Sequence, residues 1–286
     1  MSLDMAMSTK TRVERGFRLV MPSRAENVAV VRQAVGGAID VLELDESRLL
    51  DINAAVSEAC NNVVIHAYEG REGPMRVQLQ IEPDQLEVIV SDDGVGIRPG
   101  PPQEELEIQG LGLSVIQTLT DRTEFLGGVS QGTEVRMAFA LDARPSTAID
   151  ETAADQIEVG QPPGEVSVAV SAGPLAAPVL GRVIAMLAAR AGFSLEGISE
   201  AQLITDAVAA RAPGIVLGDL IQLGIDRSEG ELEVRVGPLR AGGATELVDS
   251  SALGDLPPLL ERLTRRHRVE RSGDGELLSL TLENPA

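Results

Sequence analysis

Glu58 and Asn62 stand four residues apart in a segment that is predicted to be helical. At this spacing both side chains leave one face of the helix. A carboxylate placed like Glu58 can accept a proton from an attacking hydroxyl group or water. Asparagine is disfavoured inside helices, so the pair Asn61-Asn62 at mid-helix indicates a task other than helix stability. The ordinary alternative is an exposed polar helix face.

A second candidate is Asp93, which lies 31 residues after Asn62 and directly before Gly94-Val95-Gly96. A carboxylate after a buried strand can accept a hydrogen bond from the exocyclic amine of adenine, which selects adenine over guanine. The glycines Gly94 and Gly96 would let the backbone approach the purine and the ribose closely. The neighbouring Asp92 is expected to be solvated. Because Asp-Gly is a common turn, this motif alone is weak evidence.

The third segment, Gly110-Leu111-Gly112-Leu113, is expected to open a helix that ends near Arg122. Glycines at a helix start leave free backbone N–H groups at the positive end of the helix dipole, which suits a triphosphate. A P-loop is excluded, because the only lysine of the chain is Lys10.

In this order the three segments resemble the motifs of the GHKL ATPases (the Bergerat fold), and within them those of the bacterial anti-sigma-factor serine kinases. The ending His66-Ala67-Tyr68 of the first segment matches the kinase family. The resemblance covers about residues 13–141. It implies an α+β fold, a two-layer α/β sandwich, that binds ATP or ADP with Mg²⁺.

By this resemblance Asn62 is the magnesium ligand and Glu58 is the catalytic base. The nucleotide-binding residues would be Asn62, Asp93, Gly94, Gly96, Gly110, Leu111, Gly112, Leu113 and Thr133. The hydroxyl of Thr133 would approach adenine through water, although a threonine at a turn has an equally ordinary structural explanation. Residues 98–105 would form a short lid with Arg98 as its only cation. His66 is assigned no chemistry, and Tyr68 is expected to pack at the helix end.

Composition limits the classes of partner. The 286-residue chain has a formal net charge of −20, which argues against a nucleic-acid surface. No apolar run is long enough to span a membrane. The single cysteine, Cys60, is expected to be a small buried thiol in a reducing compartment. We therefore expect a cytoplasmic protein without direct nucleic-acid or membrane partners.

The hydrophobic patterns and turn signals predict the elements of the first half. They are a strand at Gly16–Met21, a helix capped by Ser23 with Glu26 completing a capping box, a second helix from Arg48 to about Ala67, hairpin strands at Met75–Ile81 and Gln85–Val90, a helix at Gly112–Arg122, and a strand at Glu134–Leu141.

Residues 142–164 are acidic and rich in Pro, Gly and Ala, which predicts a linker between a domain at 13–141 and a second one at 165–286. The second domain repeats the apolar spacing of the first, with Leu232, Val234 and Val236 matching Leu86, Val88 and Val90, and with Ile204 and Val208 over Ile52 and Val56. The interpretation is an internal duplication; the alternative is two unrelated α/β domains.

The second copy lacks the candidate chemistry. In this alignment Ala210 and Gly214 replace Glu58 and Asn62, and Leu239-Arg240-Ala241-Gly242 replaces the segment that begins with Asp93. The sequence therefore predicts a degenerate GHKL-like domain without nucleotide motifs.

The function implied by the resemblance is that of an anti-sigma factor and serine/threonine kinase. Such a protein sequesters a sigma factor and phosphorylates an anti-anti-sigma antagonist. The alternatives are a nucleotide-gated protein-binding regulator without kinase activity, or a stressosome-type switch kinase. A sensor histidine kinase is disfavoured, because no helix with a substrate histidine precedes the first domain. The active unit would be a homodimer, or an intramolecular pseudo-dimer of the two halves.

Overall fold

A single antiparallel sheet of ten strands runs through both halves of the chain in the computed structural model. The structure describes residues 15–96, 106–128, 131–141, 162–251, 257–273 and 275–285. The predicted lid from Arg98 and most of the predicted linker, residues 142–161, lie outside these ranges. The result is a mixed α/β fold with helices packed on a large antiparallel sheet, as predicted from the resemblance.

The first half contains β1 (Gly16–Pro22), α1 (Asn27–Leu42), α2 (Glu46–Asn62), a π-helical turn (Val63–Ala67), β2 (Pro74–Ile81), β3 (Gln85–Asp92), α3 (Leu106–Leu119), β4 (Arg122–Gly127) and β5 (Thr133–Ala140). The second half contains β6 (Val166–Ser171), α4 (Ala176–Arg190), α5 (Leu195–Arg211), β7 (Leu220–Ser228), β8 (Glu231–Leu239), α6 (Gly243–Asp249), α7 (Leu259–Leu263), β9 (Arg266–Ser272) and β10 (Gly275–Glu283). Among the described residues, both halves have the same order of elements, except that the π-helical turn is found in the first half alone and α6 in the second half alone.

The strand order is β4-β5-β3-β2-β1-β6-β7-β8-β10-β9, so the two halves meet at the centre of the sheet. There β1 pairs antiparallel with β6, with Phe17 opposite Val170 and Leu19 opposite Val168. All four side chains are buried in one hydrophobic cluster that extends from the first half into the second. The two halves therefore share a core that is continuous across the β1–β6 junction.

The start of α1 differs from the prediction. Ser23 does not cap this helix, because its backbone N–H donates to Gly73 O at 2.8 Å and its hydroxyl accepts from Gly73 N at 3.2 Å. The helix begins later, with Glu26 at the N-cap position and no side-chain cap. The second helix begins at Glu46, two residues before the predicted start, and the carboxylate of its N-cap residue Asp45 accepts a hydrogen bond from Arg48 N at 2.8 Å.

The helices α2 and α5 have equal lengths and matching buried faces, but not in the predicted register. The buried residues of α2 are Ile52, Ala55, Val56, Ala59 and Cys60, and the equivalent positions of α5, counted from the helix start, are Ala201, Ile204, Thr205, Val208 and Ala209. The predicted alignment is therefore three residues out of register. When α2 and α5 are aligned from their first residues, Ala207 stands at the position of Glu58 and Arg211 at the position of Asn62. Neither Glu58 nor Asn62 therefore has a counterpart of its own kind in the second half.

Helices α1 and α4 pack closely across the junction of the two halves. A Cβ atom at Gly37 would lie 2.5 Å from the carbonyl oxygen of Pro178, whereas one at Gly36 would meet only the end of the Arg182 side chain, at 3.2 Å. Ion pairs surround this contact: Arg182 with Asp40, and both Arg190 and Arg227 with Glu26. Within the described residues, no helix is long and apolar enough to cross a membrane.

This packing predicts opposite outcomes for two adjacent alanine substitutions. Gly37→Ala is expected to lower the free energy of unfolding by about 1–3 kcal/mol, because backbone atoms must separate. Gly36→Ala is the matched control and is expected to be neutral or stabilising, since a flexible arginine can move and alanine favours the helix by up to about 1 kcal/mol. Urea denaturation of both variants measures the difference. Equal effects would contradict close α1–α4 packing.

Candidate functional site

The carboxylate of Glu58 lies directly against helix α3. A Cβ atom at Gly112 would overlap Glu58 Oε1, so a larger residue at position 112 would displace the end of the Glu58 side chain. Asn62 is the last residue of α2, one turn after Glu58, and both side chains are partly exposed. The structure therefore brings together Glu58 and Gly112, which are 54 residues apart in the sequence. The carboxylate has no ion pair with any residue that the structure describes.

The two aspartates at the end of β3 have different environments. The carboxylate of Asp93 is exposed and receives two hydrogen bonds from Arg76, at 2.7 and 2.6 Å. The hydrogen bond from Arg76 lowers the pKa of this carboxyl group below its ordinary value. Asp93 is therefore held ionised by a neighbour on the adjacent strand β2.

Asp92, in contrast, is 6% exposed, so the prediction that it is solvated was wrong. Its Oδ1 accepts a hydrogen bond from Gly94 N at 2.7 Å, and the backbone of Thr133 also donates to the carboxylate. Desolvation by burial nevertheless raises the pKa of Asp92 above its ordinary value. The burial follows from strand geometry, because Asp92 continues the inward-facing series of Val88 and Val90.

The surroundings of Asp92 consist largely of backbone atoms of glycine residues and of the residues they contact. A Cβ atom at Gly94 would overlap the carbonyl of Ala67, one at Gly96 that of Gly128, and one at Gly132 that of Asp92 itself. Gly96 and Gly132 have φ angles of 74° and 73°, which favour glycine. The backbone is thus close-packed beside a buried carboxylate, with glycine at each of these contacts. Thr133 begins β5 directly opposite Asp92, where sequence analysis predicts a ligand-binding residue.

Tyr68 connects the end of the π-helical turn to the residues that follow β3 and to the start of β2. Its hydroxyl accepts a hydrogen bond from Asp93 N at 2.9 Å and donates one to Pro74 O at 2.6 Å. Its ring packs so closely on Gly73 that a Cβ atom there would overlap the ring. The prediction that Tyr68 packs at the helix end is confirmed, while His66 is exposed.

The position of Gly110-Leu111-Gly112-Leu113 differs from the prediction. These are the fifth to eighth residues of α3, which begins at Leu106 rather than at the glycines. Only the first four N–H groups of a helix lack an intrahelical acceptor, so the amides of Gly110 and Gly112 are not free in this conformation. The preceding Leu106-Glu-Ile-Gln consists mostly of good helix formers, which offsets the cost of about 1 kcal/mol for each glycine.

The described residues are compatible with binding of the adenine base of a nucleotide. Asp92 offers a buried acceptor beside glycine backbone, and Glu58 and Asn62 lie on the neighbouring helix. Among these residues, no group of three or more His, Cys, Asp or Glu side chains could hold a metal ion. A magnesium ion here would therefore depend on one amide oxygen, that of Asn62, and on oxygens from a bound phosphate chain.

The corresponding corner of the second half is filled. Counting from the matched residues Val88 and Val234, Pro238 stands where Asp92 stands, so no carboxylate ends β8. The carboxylate of Glu276 instead accepts hydrogen bonds from Gly242 N and Ala244 N at 3.0 and 3.2 Å. Helix α6 follows directly and buries Leu247 and Val248.

Comparisons with known proteins identify relatives of the first half of the chain. Residues 21–139 match the model of the histidine kinase-like ATPase domain. An anti-sigma F factor of Clostridium kluyveri is 29% identical over 132 residues, covering 43% of this chain and 93% of the relative. A serine-protein kinase RsbW of Bacillus cereus is 33% identical over 122 residues, covering 38% of this chain and 76% of the relative.

A third relative, an anti-sigma F factor of Clostridium beijerinckii, is 34% identical over 122 residues and covers 40% of this chain and 85% of the relative. Among solved structures, the RsbU and RsbW domains of a Mycobacterium tuberculosis protein align at a TM-score of 0.34 and 19% identity. That alignment covers 46% of this chain and 34% of the other. A similarity of this size carries no argument about the fold.

The two adjacent aspartates provide a matched test of base recognition. Asp92→Asn is expected to weaken Mg-ATP binding by at least about tenfold, because its single amide oxygen already serves Gly94 N–H and its NH₂ group would face the amine of adenine. Asp93→Asn is the control and is expected to change affinity little, because its side chain faces Arg76. Isothermal titration calorimetry gives both values. Loss of binding in Asp93→Asn alone would restore the assignment made from sequence.

Proposed function

Because the chain belongs to the histidine kinase-like ATPases, and within them to the anti-sigma-factor serine kinases, we propose that it is an ATP-dependent serine/threonine protein kinase and anti-sigma factor. In this proposal it holds a sigma factor inactive and phosphorylates an anti-anti-sigma antagonist. The observation that carries the proposal is the buried carboxylate of Asp92 beside glycine backbone. It supplies an acceptor for adenine in the part of the chain that matches the ATPase family.

In this proposal Asp92 binds the base, in place of Asp93, and Thr133 and the glycines Gly94 and Gly96 border the purine. Asn62 would hold Mg²⁺, which neutralises phosphate charge when bound. Glu58 would accept the proton of the attacking hydroxyl group. Its position against Gly112 supports this role, because it sets the carboxylate beside the segment assigned to the phosphates.

A second candidate is a nucleotide-gated regulator without kinase activity. The position of Gly110 and Gly112 inside α3 favours it, since phosphate binding would first require the beginning of that helix to unwind. Under this alternative, nucleotide binding changes the helix and hence a protein-binding surface, but no phosphate is transferred. The two candidates make the same prediction for ATP binding and opposite predictions for phosphate transfer.

Glu58→Gln separates them and tests the proposed base. We expect phosphate transfer from ATP to the anti-anti-sigma protein of the same organism to fall by about 10²- to 10⁴-fold, with Mg-ATP affinity nearly unchanged. Glu46→Gln, an exposed position at the start of the same helix, is the control and should retain full transfer. Undiminished transfer in Glu58→Gln would contradict the role of Glu58. Absence of transfer in the unaltered protein would favour the nucleotide-gated regulator.

We also propose that the second half takes the place of a partner subunit. Its β6 pairs with the edge of β1, and its α4 covers α1, which are surfaces that a second copy could otherwise use. The second half would be a duplicated but degenerate copy of the first. The chain would then be an intramolecular pseudo-dimer with one nucleotide site.

This arrangement predicts a monomer that binds one ATP. Sedimentation equilibrium over a wide concentration range is expected to give the mass of one chain, and calorimetry a stoichiometry of one. Gly37→Ala is a useful comparison, because loosening the α1–α4 contact should make the mass depend on concentration. A tight dimer of the unaltered chain, or two ATP molecules per chain, would contradict the pseudo-dimer.

A further inference from the structure

The two outer strands of the sheet, β4 and β9, occupy equivalent positions in the two halves. Each pairs with the last strand of its half, β5 or β10. Each strand also follows a helix, and the residue after each helix is a threonine whose hydroxyl donates to the carbonyl oxygen four residues earlier. Thr120 donates to Ile116 O, and Thr264 donates to Leu260 O. Taking Thr120 and Thr264 as equivalent positions fixes a residue-by-residue alignment of β4 with β9.

In this alignment the two strands differ strongly in charge. Thr123, Glu124 and Gly127 of β4 correspond to His267, Arg268 and Arg271 of β9. On β4, Glu124 lies 3.8 Å from Arg122, which balances it. Residues 262–271 contain five arginines, at 262, 265, 266, 268 and 271, against one acid, Glu270. In a chain of net charge −20, this is a concentrated positive edge.

This edge is exposed and only partly neutralised. Every residue of β9 is exposed, and Val269 at its centre keeps 43% of its surface accessible. Arg265 pairs with Glu283, and Arg268 lies 3.7 Å from Glu270. Arg262 and Arg266 have no ion pair with any residue that the structure describes. Among the described residues, at least two positive charges of this edge are thus without an acidic partner.

The backbone of β9 is also available. In the described sheet β9 has one neighbour, β10, so the N–H and C=O groups of its outer side have no strand partner. A second copy of β9 is a poor partner, because each copy carries three arginines and only one acid, so two such strands side by side would repel each other. Protection against such pairing does not explain the whole cluster, since β4 is also an outer strand and lacks it.

We propose that β9 is a docking strand for an extended acidic segment of a partner protein, which would add an eleventh strand to the sheet. Backbone hydrogen bonds would supply the pairing, and acidic side chains at alternate positions would lie on one side of the sheet. In one register they would face Arg266 and Arg268, and in the register shifted by one residue they would face His267 and Arg271. Val269 would contribute an apolar contact at the centre. The proposal rests on β9 alone and does not depend on nucleotide binding or phosphate transfer.

Protein is favoured over nucleic acid for two reasons. The positive charge is confined to one strand and its flank in an otherwise acidic chain, whereas nucleic-acid binding needs a broad positive surface. Strand β9 also contains no Phe, Tyr or Trp on which a base could stack. An oligonucleotide is nevertheless a necessary arm of the test, because it carries a similar density of negative charge.

The test uses the full chain and a fluorescein-labelled peptide of alternating Glu and Thr, with (dT)₉ as the polyanion. Fluorescence anisotropy is expected to show salt-dependent peptide binding, and hydrogen exchange is expected to show new protection in β9. A peptide with the same charge but N-methylated at alternate residues cannot pair along a strand and should bind at least about tenfold more weakly.

The matched variants replace residues of β9 by those at the equivalent positions of β4. His267→Thr combined with Arg268→Glu and Arg271→Gly gives β9 the residues of β4, and should weaken peptide binding by at least about tenfold. The single variant Arg268→Glu serves if the triple variant does not fold, as judged by circular dichroism. Glu124→Arg on β4 should not change the affinity. No peptide binding, equal binding of the N-methylated peptide, or tighter binding of (dT)₉ would each overturn the proposal.

Discussion

The antiparallel pairing of β1 with β6 is the contact on which the rest of the molecule depends. Without it, each half would have a sheet edge lined by residues such as Phe17 and Leu19, whose side chains are fully buried here. The close approach of α1 to α4 at Gly37 then brings the helix layers into one continuous core. With only 2% aromatic residues, that core is made mostly of aliphatic side chains, whose small size requires close contact between helices.

The candidate site is held by the backbone around the end of β3. Burying Asp92 at the end of β3 opposes ionisation, and the opposing backbone donors of Gly94 and Thr133 only partly compensate. Such a carboxylate persists where the surrounding backbone is held firmly, here by β5, the π-helical turn and the glycine contacts. Desolvation that disfavours the charge of the free protein also strengthens its interaction with a donor that enters the site. The second half lacks this feature, because Pro238 stands at the matched position and α6 packs against β10.

Much of the first half could be predicted from sequence, because its strands alternate regularly and its turns carry strong signals. The hairpin of β2 and β3 and the helical setting of Glu58 and Asn62 are examples. Each error has an identifiable physical cause. The hydroxyl of Ser23 accepts a hydrogen bond from the backbone of Gly73, 50 residues away in the sequence, so a rule based on neighbouring residues could not detect it. Asp92 could have been recognised by extending the alternation of Leu86, Val88 and Val90 by one step. The start of α3 depends on the balance between glycine and the helix formers before it, which sequence patterns do not resolve.

Tyr68 gives this architecture an optical property. It is the only tyrosine, and the chain has no tryptophan, so the near-ultraviolet emission of the folded protein comes almost entirely from one phenol ring. That ring is hydrogen-bonded to the backbone of Asp93 and packed on Gly73, next to the buried carboxylate. The protein thus contains a single intrinsic fluorophore at the rim of its candidate site. Changes in the surroundings of Tyr68 can therefore be followed by tyrosine fluorescence in the unlabelled protein. The second half contains no tyrosine or tryptophan and adds no such signal.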